Sequence, residues 1–377
     1  MLIPRYYQDL TPYIKSNKAL IIFGPRQAGK TTLLRNYLEA QNGKVKYKLE
    51  SGDNIRIQEL IGSGDMKRIK EYAEGYDLIA IDEAQKIKNV GQGLKIMTDE
   101  IPGIRIIATG SSSFELLGQV GEPLTGRKIT LTLYPIAQIE LKNLYNKHEL
   151  KSKLEEHLIF GNYPEVVATA SQGEKRRILN DLVDSYLLKD VLELEKVKGS
   201  KILLDLLRLL AFQIGNEVSL SELGRQIGLD YKTVARYLDL FEKSFIVYNL
   251  RGFSRNLRKE ITKKSKYYFL DNGVRSAVIA NFNSIELRDD VGALWENFMV
   301  TERLKKQSYN RIYANNYFWR TWDQKEIDFV EEREGKLFGY EFKWKDKTIK
   351  PPKEWLANYP KSEFAVVTPE NYLDFVS

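Results

Sequence analysis

The chain has 377 residues, of which 43% are hydrophobic, 29% charged and 11% aromatic, enough apolar material for packed cores and unlike a disordered chain. One hydrophobic core seldom grows past roughly 250 to 300 residues, so this length predicts two or three domains. The absence of cysteine excludes a disulfide framework, a cysteine-ligated zinc or iron–sulfur centre and a thiol nucleophile. His148 and His157 are the only histidines, too few for a histidine-rich metal centre. The 58 basic and 51 acidic residues give a net charge of +7, a mild excess that points toward an anionic partner.

Met1 to Arg5 run at once into mixed polar sequence, so no targeting leader is predicted. The longest apolar runs, such as residues 19–23 and 78–81, are strand-length and far short of the roughly 20 residues a bilayer-crossing helix needs. The expected location is therefore the cytoplasm, with no membrane partner.

Along the first third, short β-branched runs at residues 19–23, 45–49, 78–81, 104–108 and 128–133 alternate with helical patterns at 30–40, 55–60, 66–73 and 91–100. That alternation predicts a doubly wound α/β sheet of parallel strands. Between the first strand and first helix lie Gly24, Pro25, Arg26, Gln27, Ala28, Gly29, Lys30, Thr31 and Thr32. The glycine, four residues, glycine, lysine and threonine match a phosphate-binding loop, and the strand before and helix after supply the context that motif requires. Backbone N–H groups and a helix N-terminus converge there on a polyphosphate. Lys30 would reach the β and γ phosphates, and Thr31 would hold Mg²⁺.

The strand at 78–81 ends in Asp82 and Glu83. Two carboxylates after four apolar residues are costly unless a cation or water network meets them. Asp82 is expected to serve the metal and Glu83 to polarise the attacking water; the plainer alternative is that both cap the next helix. A third strand ends in Thr109, Gly110 and Ser111. Ser111, with Thr109 as runner-up, is the candidate polar residue between the γ phosphate and that water. Arg127, before the fifth strand, is a candidate γ-phosphate contact in its own subunit or a neighbour's, or else a surface charge.

With these motifs the chain resembles the AAA-type ATPases of archaea and bacteria that carry a conserved C-terminal domain of unknown function. The resemblance runs over nearly the whole chain. It rests on GPRQAGKTTLL at 24–34, IDEAQ at 81–85, ATGSSS at 108–113, LTGR at 124–127 with LYP at 133–135, GNYPEVV at 161–167 and YFLDNGVR at 268–275. Asn162 stands where that family usually has a second glycine. The resemblance implies ATP binding and hydrolysis by the N-terminal half, and no cellular role.

Residues 136–210 are helical in pattern. Ser219, Gly228 and Asp230 are placed as cap, turn and cap of a helix-turn-helix, with residues 246–250 and 266–270 as the strands of a wing. Residues 230–266 carry ten basic and four acidic residues, a net +6 of the chain's +7. Lys232, Arg236, Lys243, Arg251, Arg255, Arg258, Lys259, Lys263, Lys264 and Lys266, with Tyr231 and Thr233, form either a DNA-contacting footprint or a solvated or protein-facing surface.

Beyond residue 291 the pattern is again mixed: a helix at 292–307, strands near 312–313, 317–319, 326–331 and 337–344, then a helix and a closing strand at 364–367. Glu296 lies on the helix and Asp328 on a strand, while Glu341 and Lys343, two apart on another strand, share a face. Two carboxylates could hold Mg²⁺ against a phosphodiester while Lys343 stabilises charge; the alternative is ordinary exposed charge. This pattern resembles the PD-(D/E)xK nuclease fold, in its Holliday-junction-resolvase-like branch.

The expected architecture is thus α/β: a P-loop parallel-sheet ATPase domain at 1–140, a helical lid at 141–210, a winged helix-turn-helix at 211–275 and a restriction-endonuclease-like domain at 285–377. The expected function is Mg²⁺-dependent ATP binding and hydrolysis coupled to motion of the C-terminal module, with ATP and Mg²⁺ as cofactors. A DNA-binding regulator and an ATP-gated DNA nuclease are the alternatives, and a protein partner and the oligomeric state stay open.

Overall fold

A computed structural model of the chain describes residues 3–111, 121, 123–184, 191–192, 200–253, 265–321, 323–345 and 349–377. These fall into two compact units: Arg5–Pro135 with Lys243–Phe245, and Met1–Pro4, Ile136–Glu242 and Ile246–Ser377.

The P-loop unit is built on five parallel strands, β1 (Lys18–Phe23), β2 (Tyr47–Ser51), β3 (Leu78–Asp82), β4 (Arg105–Gly110) and β5 (Lys128–Thr132), in the order β2-β3-β4-β1-β5. The central strands read as unbroken apolar runs because residues 19–23, 78–81 and 106–108 are buried on both faces. Helices Lys30–Ala40, Ile55–Gly62, Met66–Ala73 and Val90–Glu100 supply the connections. Since parallel strands finish at one edge, the ends of β1, β3 and β4 bring residues 24–31, 82–83 and 109–111 together.

In the second unit, helices between residues 138 and 243 pack around an apolar core that includes Leu158, Leu179, Leu206 and Phe241. Ser219 accepts from the Glu222 N–H, Gly228 adopts φ +70°, and Asp230 Oδ1 accepts from the N–H groups of Lys232 and Thr233, so the helices Leu220–Ile227 and Tyr231–Lys243 are capped where the sequence places caps. Val234, Leu238 and Phe241 point inward. Of the helical pattern expected at 136–210, residues 185–190 and 193–199 lie outside the described residues.

Six strands form the second sheet: β6 (Val247–Gly252), β7 (Ser265–Phe269), β8 (Asn315–Arg320), β9 (Glu326–Arg333), β10 (Lys336–Phe342) and β11 (Glu363–Val367), in the order β11-β10-β9-β8-β6-β7. The strands read as a wing do pair with each other, yet β6 also pairs in parallel with β8. The hairpin is therefore one end of a larger sheet, and segments 141–210, 211–275 and 285–377 fall within this unit except for Lys243–Phe245, which belong to the P-loop unit. The strand expected at 312–313 does not form. Arg311 takes φ +54° and the Ile312 N–H closes on the Gln307 carbonyl, so these residues terminate the helix Val291–Tyr309.

Two of the family-like motifs meet in this unit. Asp271 caps the helix Asn272–Val278 through Gly273 and Val274 and also accepts from the Asn162 N–H at 2.7 Å. Gly161, at φ +67°, brings its backbone so close that a Cβ would lie 1.9 Å from Asp271 Oδ1. Asn297 bonds both the N–H and the carbonyl of Phe269, pinning the end of β7 to the helix Val291–Tyr309. These contacts hold the scaffold together.

Candidate nucleotide site and carboxylate cluster

The phosphate loop leaves β1 at Gly24, whose φ is +153° and whose hypothetical Cβ would sit 2.0 Å from the Leu133 carbonyl oxygen. Only glycine permits that approach. The loop rejoins the helix Lys30–Ala40 at Gly29, φ +93°, which offers no side-chain cap and leaves the first N–H groups of the helix for an anion. Lys30, nearly buried, bridges the loop by donating to the Gly24 and Pro25 carbonyls at 2.8 Å each. Arg5 braces the loop from outside through the Ala28 carbonyl at 2.5 Å and the Tyr134 carbonyl at 2.6 Å, a contact between chain segments too distant for the loop motif to announce.

Asp82 is the hub. Thr31 Oγ1 donates to Asp82 Oδ2 at 2.8 Å, and Thr109 Oγ1 donates to Asp82 Oδ1. Thr109 Oγ1 accepts from the Glu83 N–H at 3.2 Å. Glu83 takes φ +53°, and its Oε2 accepts from Gln85 Nε2 at 2.6 Å; the same amide donates to Ser111 Oγ at 3.0 Å. The structure thus brings together Lys30, Thr31, Asp82, Glu83 and both hydroxyl candidates. Thr109, the runner-up, touches Asp82 directly, and Ser111 is joined to Glu83 through Gln85. A carboxylate and a threonine hydroxyl in contact form a hard-oxygen set of the kind Mg²⁺ prefers.

Arg127 is not brought to its own phosphate loop. Its carbonyl accepts from the Ala19 N–H at the start of β1, one strand length of about 16 Å from the loop. Its guanidinium pairs with Asp99. The own-subunit γ-phosphate contact is thereby corrected: parallel pairing puts the start of β5 beside the start of β1.

Residues 16–142 match the family described as an AAA domain, residues 151–285 match domain of unknown function DUF8612 and residues 291–372 match domain of unknown function DUF4143. In its N-terminal segment the chain is thus similar to AAA domains. Uncharacterized proteins similar to the chain include one from Mycobacterium tuberculosis, 26% identical with 86% of this chain and 70% of that protein covered. Others come from Haemophilus influenzae, 25% identical (87% and 83%), and Methanocaldococcus jannaschii, 23% identical (86% and 74%). Among solved structures, AMPPCP-bound DnaA from Aquifex aeolicus aligns at 17% identity over 59% of this chain and 81% of that one, with a TM-score of 0.29. Drosophila ORC bound to DNA aligns at 12% identity over 74% and 94%, with a TM-score of 0.26.

Beyond the AAA domain, the second unit gathers the four C-terminal candidates into one cluster. Lys343 Nζ lies 2.7 Å from Glu341 Oε1 and 3.9 Å from Asp328 Oδ2, and the Phe342 N–H donates to that same Asp328 oxygen. Burial, reinforced by the Glu296 and Glu341 carboxylates, pushes the Asp328 carboxyl well above the usual range. Burial likewise raises Glu341, against the opposing pull of Lys343.

Lys266, Tyr268 and Glu326 also belong here. Lys266 Nζ pairs with Glu296 at 3.2 Å and with Glu326, while the Tyr268 hydroxyl donates to Glu296 Oε1 at 2.6 Å. Although burial opposes it, Glu296, Glu326 and Asp328 hold Lys266 above its ordinary value. A signal was present: Glu326 is two residues from Asp328 on β9, and Lys266 and Tyr268 are two apart on β7, so each pair shares a face. Among the described residues, no group of three or more His, Cys, Asp or Glu side chains is arranged to hold a metal ion, and no helix is long and apolar enough to cross a membrane.

Of the basic surface, Tyr231, Lys232 and Arg236 are exposed, whereas Lys266 is buried. Arg255, Arg258, Lys259, Lys263 and Lys264 lie outside the described residues.

Proposed function

We propose that the AAA domain binds and hydrolyses ATP at the edge formed by residues 24–31, 82–83 and 109–111. The observation that carries this reading is the hydrogen bond between Thr31 and Asp82, which joins a phosphate-loop helix to the acidic end of β3. Loop N–H groups and Lys30 would receive the β and γ phosphates, with Lys30 exchanging its carbonyl partners for phosphate oxygens. Thr31 and Asp82 would hold Mg²⁺, which neutralises charge on the phosphates when bound. Glu83, steered by Gln85, would accept a proton from the attacking water; Thr109 would orient Asp82 and the Glu83 backbone, and Ser111 would act through the Gln85 amide. Arg127 remains a candidate for action on a neighbouring subunit. The chain passes between the two units at four points, which supports coupling hydrolysis to motion of the C-terminal half. Lys30→Ala is expected to abolish ATP turnover while the circular dichroism of the folded protein stays unchanged; equal turnover overturns the reading.

A second reading, contact with DNA, is favoured by the exposed Tyr231, Lys232 and Arg236 on one helix. It requires affinity that falls steeply between low and moderate salt, and a flat salt titration rejects it.

A further inference from the structure

The carboxylate cluster of the second unit carries its own cation. Four carboxylates, from Glu296, Glu326, Asp328 and Glu341, are joined by ion pairs to two ammonium groups, from Lys266 and Lys343. The two lysines are not equivalent. Lys343 has a third of its side chain exposed, whereas the side chain of Lys266 is only 2% exposed.

Burying an ammonium costs several kcal/mol unless its charge and donors are matched. Here the match is made on two sides, by Glu296 at 3.2 Å and by Glu326, and the Tyr268 hydroxyl occupies the same Glu296 oxygen. The seat is fixed by backbone as well: Lys266 pairs with Leu250 inside the β6–β7 ladder and bridges to Glu217. Mg²⁺ would need those carboxylate oxygens as ligands at roughly 2.0 to 2.1 Å. An ammonium held between Glu296 and Glu326 fills that space and consumes those lone pairs.

We propose that Lys266 is the resident cation of this cluster, seated between Glu296 and Glu326 in the place a divalent metal would take, so that the intact protein keeps the cluster metal-free. The carboxylates become a divalent-cation site only when that ammonium is removed. The inference stands apart from the ATPase reading and narrows the nuclease-like one: a fold with the acidic and lysine positions filled need not have an accessible metal.

The test is Mn²⁺ binding, followed by electron paramagnetic resonance on nucleotide-free full-length protein, for the wild type, Asp328→Asn, Lys266→Met and the double variant. Any background binding at the phosphate loop is common to all four. Wild type and Asp328→Asn should bind Mn²⁺ equally, and Lys266→Met should gain a site that the double variant loses. Wild-type binding removed by Asp328→Asn overturns the proposal, as does a folded Lys266→Met protein with no gain. Should Lys266→Met fail to fold, the smaller change Lys266→Gln replaces it, and the comparison of wild type with Asp328→Asn still decides. Because ATP plays no part, failure here leaves the Lys30 test untouched.

Discussion

Thr31 and Asp82, fifty-one positions apart in the chain, meet through a 2.8 Å hydrogen bond from Thr31 Oγ1 to Asp82 Oδ2. The contact exists because β3 and β1 run parallel with only β4 between them, so the acidic end of one falls beside the loop that leaves the other. Asp82→Asn keeps the shape and removes the charge. It is expected to lower the ATP turnover number by about 10²-fold or more, the scale seen when one preorganised electrostatic group is removed. Steady-state phosphate release measures it, and turnover within a few-fold of wild type would contradict the metal-holding role.

The two hydroxyls at the end of β4 are expected to separate. Thr109 bonds Asp82 and the Glu83 N–H directly, whereas Ser111 acts through Gln85. A hydrogen bond to a charged group is worth about 1.5–3 kcal/mol, roughly ten- to a hundredfold in rate. Thr109→Val should therefore reduce turnover by at least about tenfold, and Ser111→Ala by less. The reverse order in parallel assays would return Ser111 to the leading position that the sequence reading gives it.

Gly161→Ala tests the clamp between the GNYP and LDNG segments. The added methyl would meet Asp271 Oδ1 at 1.9 Å, on a backbone with φ +67°. Strain at that positive φ, with ψ −161°, alone costs on the order of 1–3 kcal/mol, and the contact adds to it. The urea midpoint of the second unit, followed by tryptophan fluorescence, should fall; an unchanged midpoint would show that the clamp yields freely.

His157 gives a pH signature. It is buried, and burial lowers its pKa from 6.5 to about 4, with Glu156 and a hydrogen bond with Asn162 opposing and Lys175 and Lys153 assisting. The unfolded chain accepts a proton more readily than the folded one, so this histidine leaves stability unaffected above about pH 6.5. Stability is then lost as pH falls toward about 4, by up to about 3 kcal/mol. His157→Gln should lose less Tm than wild type between about pH 7 and pH 4.5. Equal losses would mean that the folded protein protonates His157 at its ordinary pKa.

The phosphate loop was legible because its chemistry is local: Gly24, Gly29, Lys30 and Thr31 lie within eight residues, and strand and helix patterns on either side supplied the context. The acidic end of β3 was legible for the same reason. Lys266 was not. Counted with its neighbours, it reads as part of a basic surface, yet its partners Glu296 and Glu326 are 30 and 60 positions away, and a charge count along the chain cannot register that pairing. For Arg127 only the own-subunit contact fails, because a strand has two ends and nearness in sequence to β5 does not say which end faces the loop; its exposed pair with Asp99 agrees with the surface-charge alternative. The hairpin at β6 and β7 was found, but its neighbour β8 lies beyond a 19-residue helix, so the wing reading stopped short of the sheet.

The parallel pairing of β6 with β8 also bears on how the chain is made. It joins strands from the two matched segments 151–285 and 291–372, which sequence comparison treats as separate domains. During synthesis, the ribosome would release β6 and β7 as an isolated pair, marginal in water, until β8 emerges more than sixty residues after β6 and the rest of the sheet can form. A nascent chain stalled between those segments should therefore be sensitive to protease at β6 and β7, and the acquisition of resistance should coincide with the emergence of β8 and β9 rather than with the end of the first matched segment.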